Sequence, residues 1–236
     1  MITYKMETAE STFICHVDSQ RSPYPVDVPE NPPEWTKLES WKCPNCPLKE
    51  GETPYCPAAV ASVSVIEHFS KVLSTAKVHV EVETPHRKIL HKTDAQTAVR
   101  SLLGLIMPLS GCPVLSRLKG MAHFHLPFST LEESIFRTVS AYLLRQYFFN
   151  QKGIETTTSI ESLKDFYMDV QLINTSFFQR IRQASQKDSN LNAIVTLGSM
   201  SMLVSLDLEE NLNELEPLFT EGREPLPHSG QWAGEL

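Results

Sequence analysis

Four of the five cysteines in this chain, Cys43, Cys46, Cys56 and Cys112, are followed directly by proline. Proline makes up only 16 of 236 residues, so composition does not account for that coincidence. The fifth cysteine, Cys15, precedes His16. A proline biases the residue before it away from helical backbone and suits the first position of a helix. Cys56 and Cys112 each stand directly before a helical pattern, so each reads as a helix start. A thiol there faces the positive end of the helix dipole, which favours the thiolate. Cys43 and Cys46 form a C-x2-C pair upstream.

The same segment limits what the chain can fold into. Residues 19–55 contain Pro23, Pro25, Pro29, Pro32, Pro33, Pro44, Pro47 and Pro54, which excludes a long helix or a central strand. A compact domain rarely carries so long a loop without something to order it. Trp35, Trp41 and Leu48 can supply packing, and a bound metal would supply the rest. Four thiolates suit tetrahedral zinc, the preferred cofactor on this reading. A 4Fe-4S cluster also takes four thiolates, and Cys-Pro belongs to one ferredoxin pattern, so an iron-sulfur centre stays open. The single C-x2-C pair and Pro47 both depart from an ordinary zinc ribbon. A thioredoxin-like Cys43/Cys46 couple is disfavoured, because no strand precedes the pair and no βα unit surrounds it.

Hydrophobic periodicity predicts an α+β chain: a small N-terminal antiparallel β region with a Cys-rich loop, packed on a mainly helical C-terminal half. Residues 2–7 and 12–17 read as strands, with Cys15 a core residue of the second. A helix is expected over 57–74, a strand at 78–82 and its return at 87–91. Helices are expected from Thr93 or Asp94 to near Pro108, just after Cys112, and over about 130–149, 159–185 and 190–205, with a further one at 207–219. Ser129 and Glu132 read as the capping box of the 130–149 helix. Its apolar stripe is Leu131, Ile135, Val139, Tyr142, Leu143 and Tyr147. One domain is expected over 1–220, β-rich with the cysteine loop over 1–92 and helical over 93–220, followed by a disordered tail over 221–236.

A second polar cluster follows Cys112. In extended backbone, His123 and His125 would point both rings to one side. With Glu132 and Glu133 they are candidates for a cofactor or ligand site, or for partners to the cysteine centre. The competing reading is loop histidines beside a helix cap. No glycine-rich phosphate loop, H-E-x-x-H helix or G-x-S-x-G elbow is present.

The net charge of −7 argues against nonspecific binding to nucleic acid or anionic membrane. The first residues show no basic stretch followed by an apolar one, and no apolar run nears the roughly 20 residues of a membrane span. A cytoplasmic protein without a membrane partner is therefore expected. An odd cysteine count in a reducing compartment favours metal or thiol chemistry over disulfides. A protein partner or homo-oligomer is left open.

The segments Trp41-Lys42-Cys43-Pro44-Asn45-Cys46-Pro47-Leu48, Tyr55-Cys56-Pro57-Ala58-Ala59, Ser110-Gly111-Cys112-Pro113 and His123-Phe124-His125-Leu126-Pro127-Phe128 resemble motifs of an uncharacterised bacterial family, a domain of unknown function, over about residues 1–220. The resemblance implies a bacterial, cytoplasmic protein and supplies no activity. The expected role is a metal-binding protein whose four-cysteine centre is structural, in a binding or regulatory role. Two alternatives remain: an iron-sulfur redox or sensor protein, and a metal-dependent enzyme working through His123, His125 and Glu132 or Glu133.

Overall fold

The computed structural model describes residues 1–20, 31–206 and 208–221. The prolines at 23, 25 and 29, and the tail beyond Glu221, lie outside the described residues. Alternation in the first residues becomes a hairpin, β1 (Ile2–Glu7) and β2 (Thr12–Val17), joined in one antiparallel sheet by β3 (Lys77–Glu83) and β4 (Lys88–Asp94). The strand order is β2-β1-β3-β4. Successive side chains of a strand point to opposite faces. Ile2, Tyr4, Met6, Val78, Val80 and Val82 therefore share one buried face. Tyr4 stands opposite Cys15 on one side and Val82 on the other, which sets Cys15 on that inner face.

Helices cover the inner face in layers. α1 (Pro57–Phe69) packs on α2 (Ala95–Leu109), and α2 touches β3 and β4. α2 is buried nearly all round, the pattern of a helix enclosed by other elements. Asp94 caps it by accepting the Thr97 amide at 3.0 Å. The helix runs one residue past Pro108. Proline there removes a single intrahelical bond in the last turn, and dense packing around α2 compensates.

After α3 (Lys119–His123) come α4 (Leu131–Gln151), α5 (Glu161–Arg182) and α6 (Ser189–Leu206), then α7 (Leu208–Leu215) and α8 (Pro217–Thr220). α6 packs between α2 and α5. Its start is tied to the end of α1: Ser189 donates to the Phe69 carbonyl at 2.8 Å and Asn190 to the Ile66 carbonyl at 2.9 Å. By length and composition α6 could also cross a bilayer, although the sequence holds no unbroken apolar run of that size. With Ala193, Ile194 and Val204 buried, it serves as a core helix.

α4 differs from expectation in two ways. Its capping box is formed by Thr130 and Glu133, not by Ser129 and Glu132. Its expected stripe is buried only in part. Ile135 is fully enclosed, while Leu143 and Tyr147 are 39% and 56% exposed. Both buried residues of α4, Ile135 and Thr138, lie in its first half.

Gly104 sits in the middle of α2 with open space where a Cβ would stand. Gly104→Ala should stabilise the chain by up to about 1 kcal/mol through helix propensity alone. The urea midpoint measures it, and a lower midpoint would contradict this account of α2.

Candidate functional site

The four Cys-Pro cysteines line one small cavity of about 20 Å³. They arrive there from three separate stretches of chain. Cys56 lies in extended backbone (φ −69°, ψ 117°) immediately before α1, with Pro57 opening the helix. Cys112 follows Gly111, whose φ of 93° is open to glycine and strained for other residues. That turn takes the chain out of α2 and onto the cavity wall. Cys43 and Cys46 are the ends of a β-turn, closed by the Cys46 amide donating to the Cys43 carbonyl at 3.0 Å. Asn45, within the turn, donates to the Asp169 carbonyl at 3.1 Å and to the Asp169 carboxylate at 3.0 Å. The C-x2-C turn is thereby fastened to α5.

Arg180 holds the rest of the cysteine loop. Its side chain is 2% exposed and donates to the carbonyls of Trp35 (2.7 Å), Lys37, Leu38 (3.4 Å) and Trp41 (3.3 Å). Trp41 adopts φ 56°, a conformation that costs a non-glycine residue free energy, and the bond from Arg180 to its carbonyl helps to hold it there. Among the described residues Arg180 has no ion-pair partner; Cys56, Cys43 and Cys46 lie close enough to favour its charged form.

The thiols are all free. Burial pushes the Cys43 thiol up to about 11, with Cys56, Cys112 and Cys46 adding to the shift. Cys56 and Cys112 are also raised by burial. Arg180 and the amides of Ala59 and Ala58 pull Cys56 back, and the amides of Leu115 and Val114 pull Cys112 back. The expectation that helix starts alone would make these thiols acidic is corrected: desolvation outweighs the amides. At neutral pH Cys56 and Cys112 are therefore protonated.

The cavity fits a thiophilic ion in donor chemistry. It offers four thiols, amides facing two of them, and one buried positive charge to offset thiolate charge. Its geometry is less complete. Among the described residues, no group of three or more histidine, cysteine, aspartate or glutamate side chains stands ready-made around an ion position.

The structure separates the second cluster. His123 ends α3 as an exposed residue, with Nδ1 against the Ser19 carbonyl at 3.1 Å. His125 turns inward, because α3 breaks the extended backbone that would have aligned the two rings. Glu133 closes the α4 capping box, and Glu132 is exposed on the first turn of that helix. The four residues therefore form no common site.

His125 Nε2 meets the hydroxyl of Tyr4, which also bonds Ser101 Oγ at 2.8 Å. Ser101 Oγ accepts the amide of Phe128 at 3.3 Å, holding that residue at φ 61°. This chain pins the His123–Phe128 loop to β1 and α2. It also forms one end of a larger cavity of about 180 Å³ among α2, α3, α4, α5 and α6.

One comparison bears on this arrangement. A family model described as "Domain of unknown function (DUF6901)" matches residues 2–220, from the first strand to the last helix. The chain belongs to the DUF6901 family. No curated protein and no solved structure matches it. Membership in DUF6901 carries no assigned activity, so chemical inference rests on the two cavities.

Sequence reasoning missed Arg180 and the larger cavity. A signal for Arg180 existed: Ile173, Phe177 and Ile181 form the inward stripe of α5, and position 180 falls on the same face.

Burial first, and then the charge of Arg137, holds His125 down at about 3, against the ordinary 6.5. The folded chain thus refuses a proton that the unfolded chain accepts below about pH 6.5. Stability is full above that pH and falls as the pH drops toward 3. The His125 share should be about 1 kcal/mol per pH unit, discounted slightly for its partial exposure. Urea unfolding of the wild type and His125→Gln between pH 6.5 and 4 reads it. Equal slopes for the two chains would refute the assignment.

Proposed function

We propose that this protein binds one metal ion, zinc in preference to a 4Fe-4S cluster, through Cys43, Cys46, Cys56 and Cys112. The centre is structural, within a cytoplasmic protein of binding or regulatory role. The observation that carries the reading is the convergence of these four thiols, from three stretches of chain, on one cavity beside a buried arginine. Bound there, zinc would supply a tetrahedral crosslink among the thiolates. It would join the cysteine loop, the start of α1 and the exit of α2, the three stretches that meet at the cavity.

The cavity volume favours a single ion. About 20 Å³ holds roughly one water-sized guest. A 4Fe-4S cluster brings eight atoms and would need the walls to move apart. Arg180 contributes by offsetting part of the negative charge of the thiolates while keeping the loop carbonyls satisfied.

Metal analysis and a visible spectrum of anaerobically purified protein test the reading. The expected result is a colourless protein with one zinc per chain. A brown preparation absorbing near 400 nm would replace zinc by the cluster. Cys43→Ser and Cys112→Ser should each release metal and lower the melting temperature by several degrees, the scale of a lost structural crosslink. Metal-free wild-type protein, with unchanged melting in both variants, would refute the centre.

A further inference from the structure

The larger cavity adjoins the cysteine cavity but shares none of its lining residues, and its chemistry is distinct. Most of its wall is apolar, including Leu103, Met107, Leu115 and Val204. Two guanidinium groups, Arg100 and Arg137, also line it. Among the described residues, its wall contains no aspartate or glutamate and no lysine. In a chain of net charge −7, a pocket whose only fixed charges are positive selects for an anion.

Both arginines keep donors in reserve. A guanidinium has five N–H groups. Arg137 uses Nη2 on the carbonyls of Met121 (2.8 Å) and Phe124 (2.9 Å). Arg100 makes one weak contact, from Nη1 to Met200 Sδ at 3.5 Å. Neither has an ion-pair partner among the described residues. Asp94 lies close enough to Arg100, and Glu133 to Arg137, to favour their charged forms, but each carboxylate is spent on a helix cap, Asp94 on α2 and Glu133 on α4, and forms no ion pair with them. Tyr167 and Thr138 satisfy each other at 2.7 Å, and Asn174 donates to Ser201 at 3.1 Å, so these wall groups are paired among themselves while the arginines keep spare donors.

Size sets the ligand. A cavity of about 180 Å³ holds on the order of a dozen water-sized spheres. We infer that the pocket among α2, α3, α4, α5 and α6 binds a monocarboxylate with an apolar body, roughly a dozen non-hydrogen atoms in all. The carboxylate sits at Arg100 and Arg137, and the apolar body lies along Leu103, Met107, Leu115 and Val204. One carboxylate, with two oxygens, matches two guanidiniums that line the same cavity and form no ion pair among the described residues.

Decanoate, with 1-decanol as its uncharged counterpart, probes this by isothermal titration on the full chain. Wild-type protein should bind decanoate more tightly than decanol. Arg100→Gln should weaken decanoate by roughly ten- to a hundredfold, the range of one charge-assisted hydrogen bond. The same change should leave decanol unaltered. Gly104→Leu, which puts a side chain into the open space beside α2, should weaken both ligands while the protein stays folded by circular dichroism. Absence of decanoate binding, equal affinity for decanol, or an Arg100→Gln protein that binds decanoate normally would each overturn the inference.

Discussion

A guanidinium buried without a carboxylate is costly unless other groups surround it. Arg180 meets that requirement with four carbonyls from the segment Trp35–Trp41, and it stands beside Cys56, Cys43 and Cys46. Among the described residues the proline-rich loop is held by short turns and by the isolated bridge Lys37–Tyr55, and Arg180 adds bonds to the carbonyls of Trp35, Lys37, Leu38 and Trp41. In turn the loop carries the C-x2-C turn to α5, where Asn45 completes the attachment. One long-range contact, 145 residues apart in sequence, thus decides where two of the four thiols stand. The other two are placed by the start of α1 and the turn at Gly111, both of which rest on the same helical core.

The two cavities are neighbours in construction. Val114 lines the cysteine cavity and Leu115 the larger one, as consecutive residues after Cys112. On α5, Ile173 and Phe177 face the thiols while Val170 and Asn174 face the larger space. A rigid cysteine centre would therefore hold two walls of the ligand pocket in place. A structural metal at the cysteines would then have a functional consequence without chemistry of its own.

Much of the fold was legible from local patterns. Period-two alternation located β1, β2 and β3, and the grouping of the four Cys-Pro cysteines followed from one shared neighbour. Side-chain placement across the fold was less legible. H-x-H suggested a joined site, but α3 continues to His123 and sends the two rings apart. Leu143 and Tyr147 fit a helical stripe, yet that stripe reports burial only where another element covers it. Arg180 reads as a surface cation when charge alone is considered. Its position on the apolar face of α5 becomes meaningful only once the loop lies against that face. The thiols show a similar limit: a helix start favours thiolate, and burial, which the sequence does not display, reverses the balance.

The central claim is that four named sulfurs share one ion. X-ray absorption at the zinc edge of the purified chain tests it most directly. The account predicts a first shell of four sulfurs at about 2.3 Å, with no nitrogen or oxygen neighbour. A shell containing histidine nitrogen or carboxylate oxygen, or a chain that retains no metal, would contradict it.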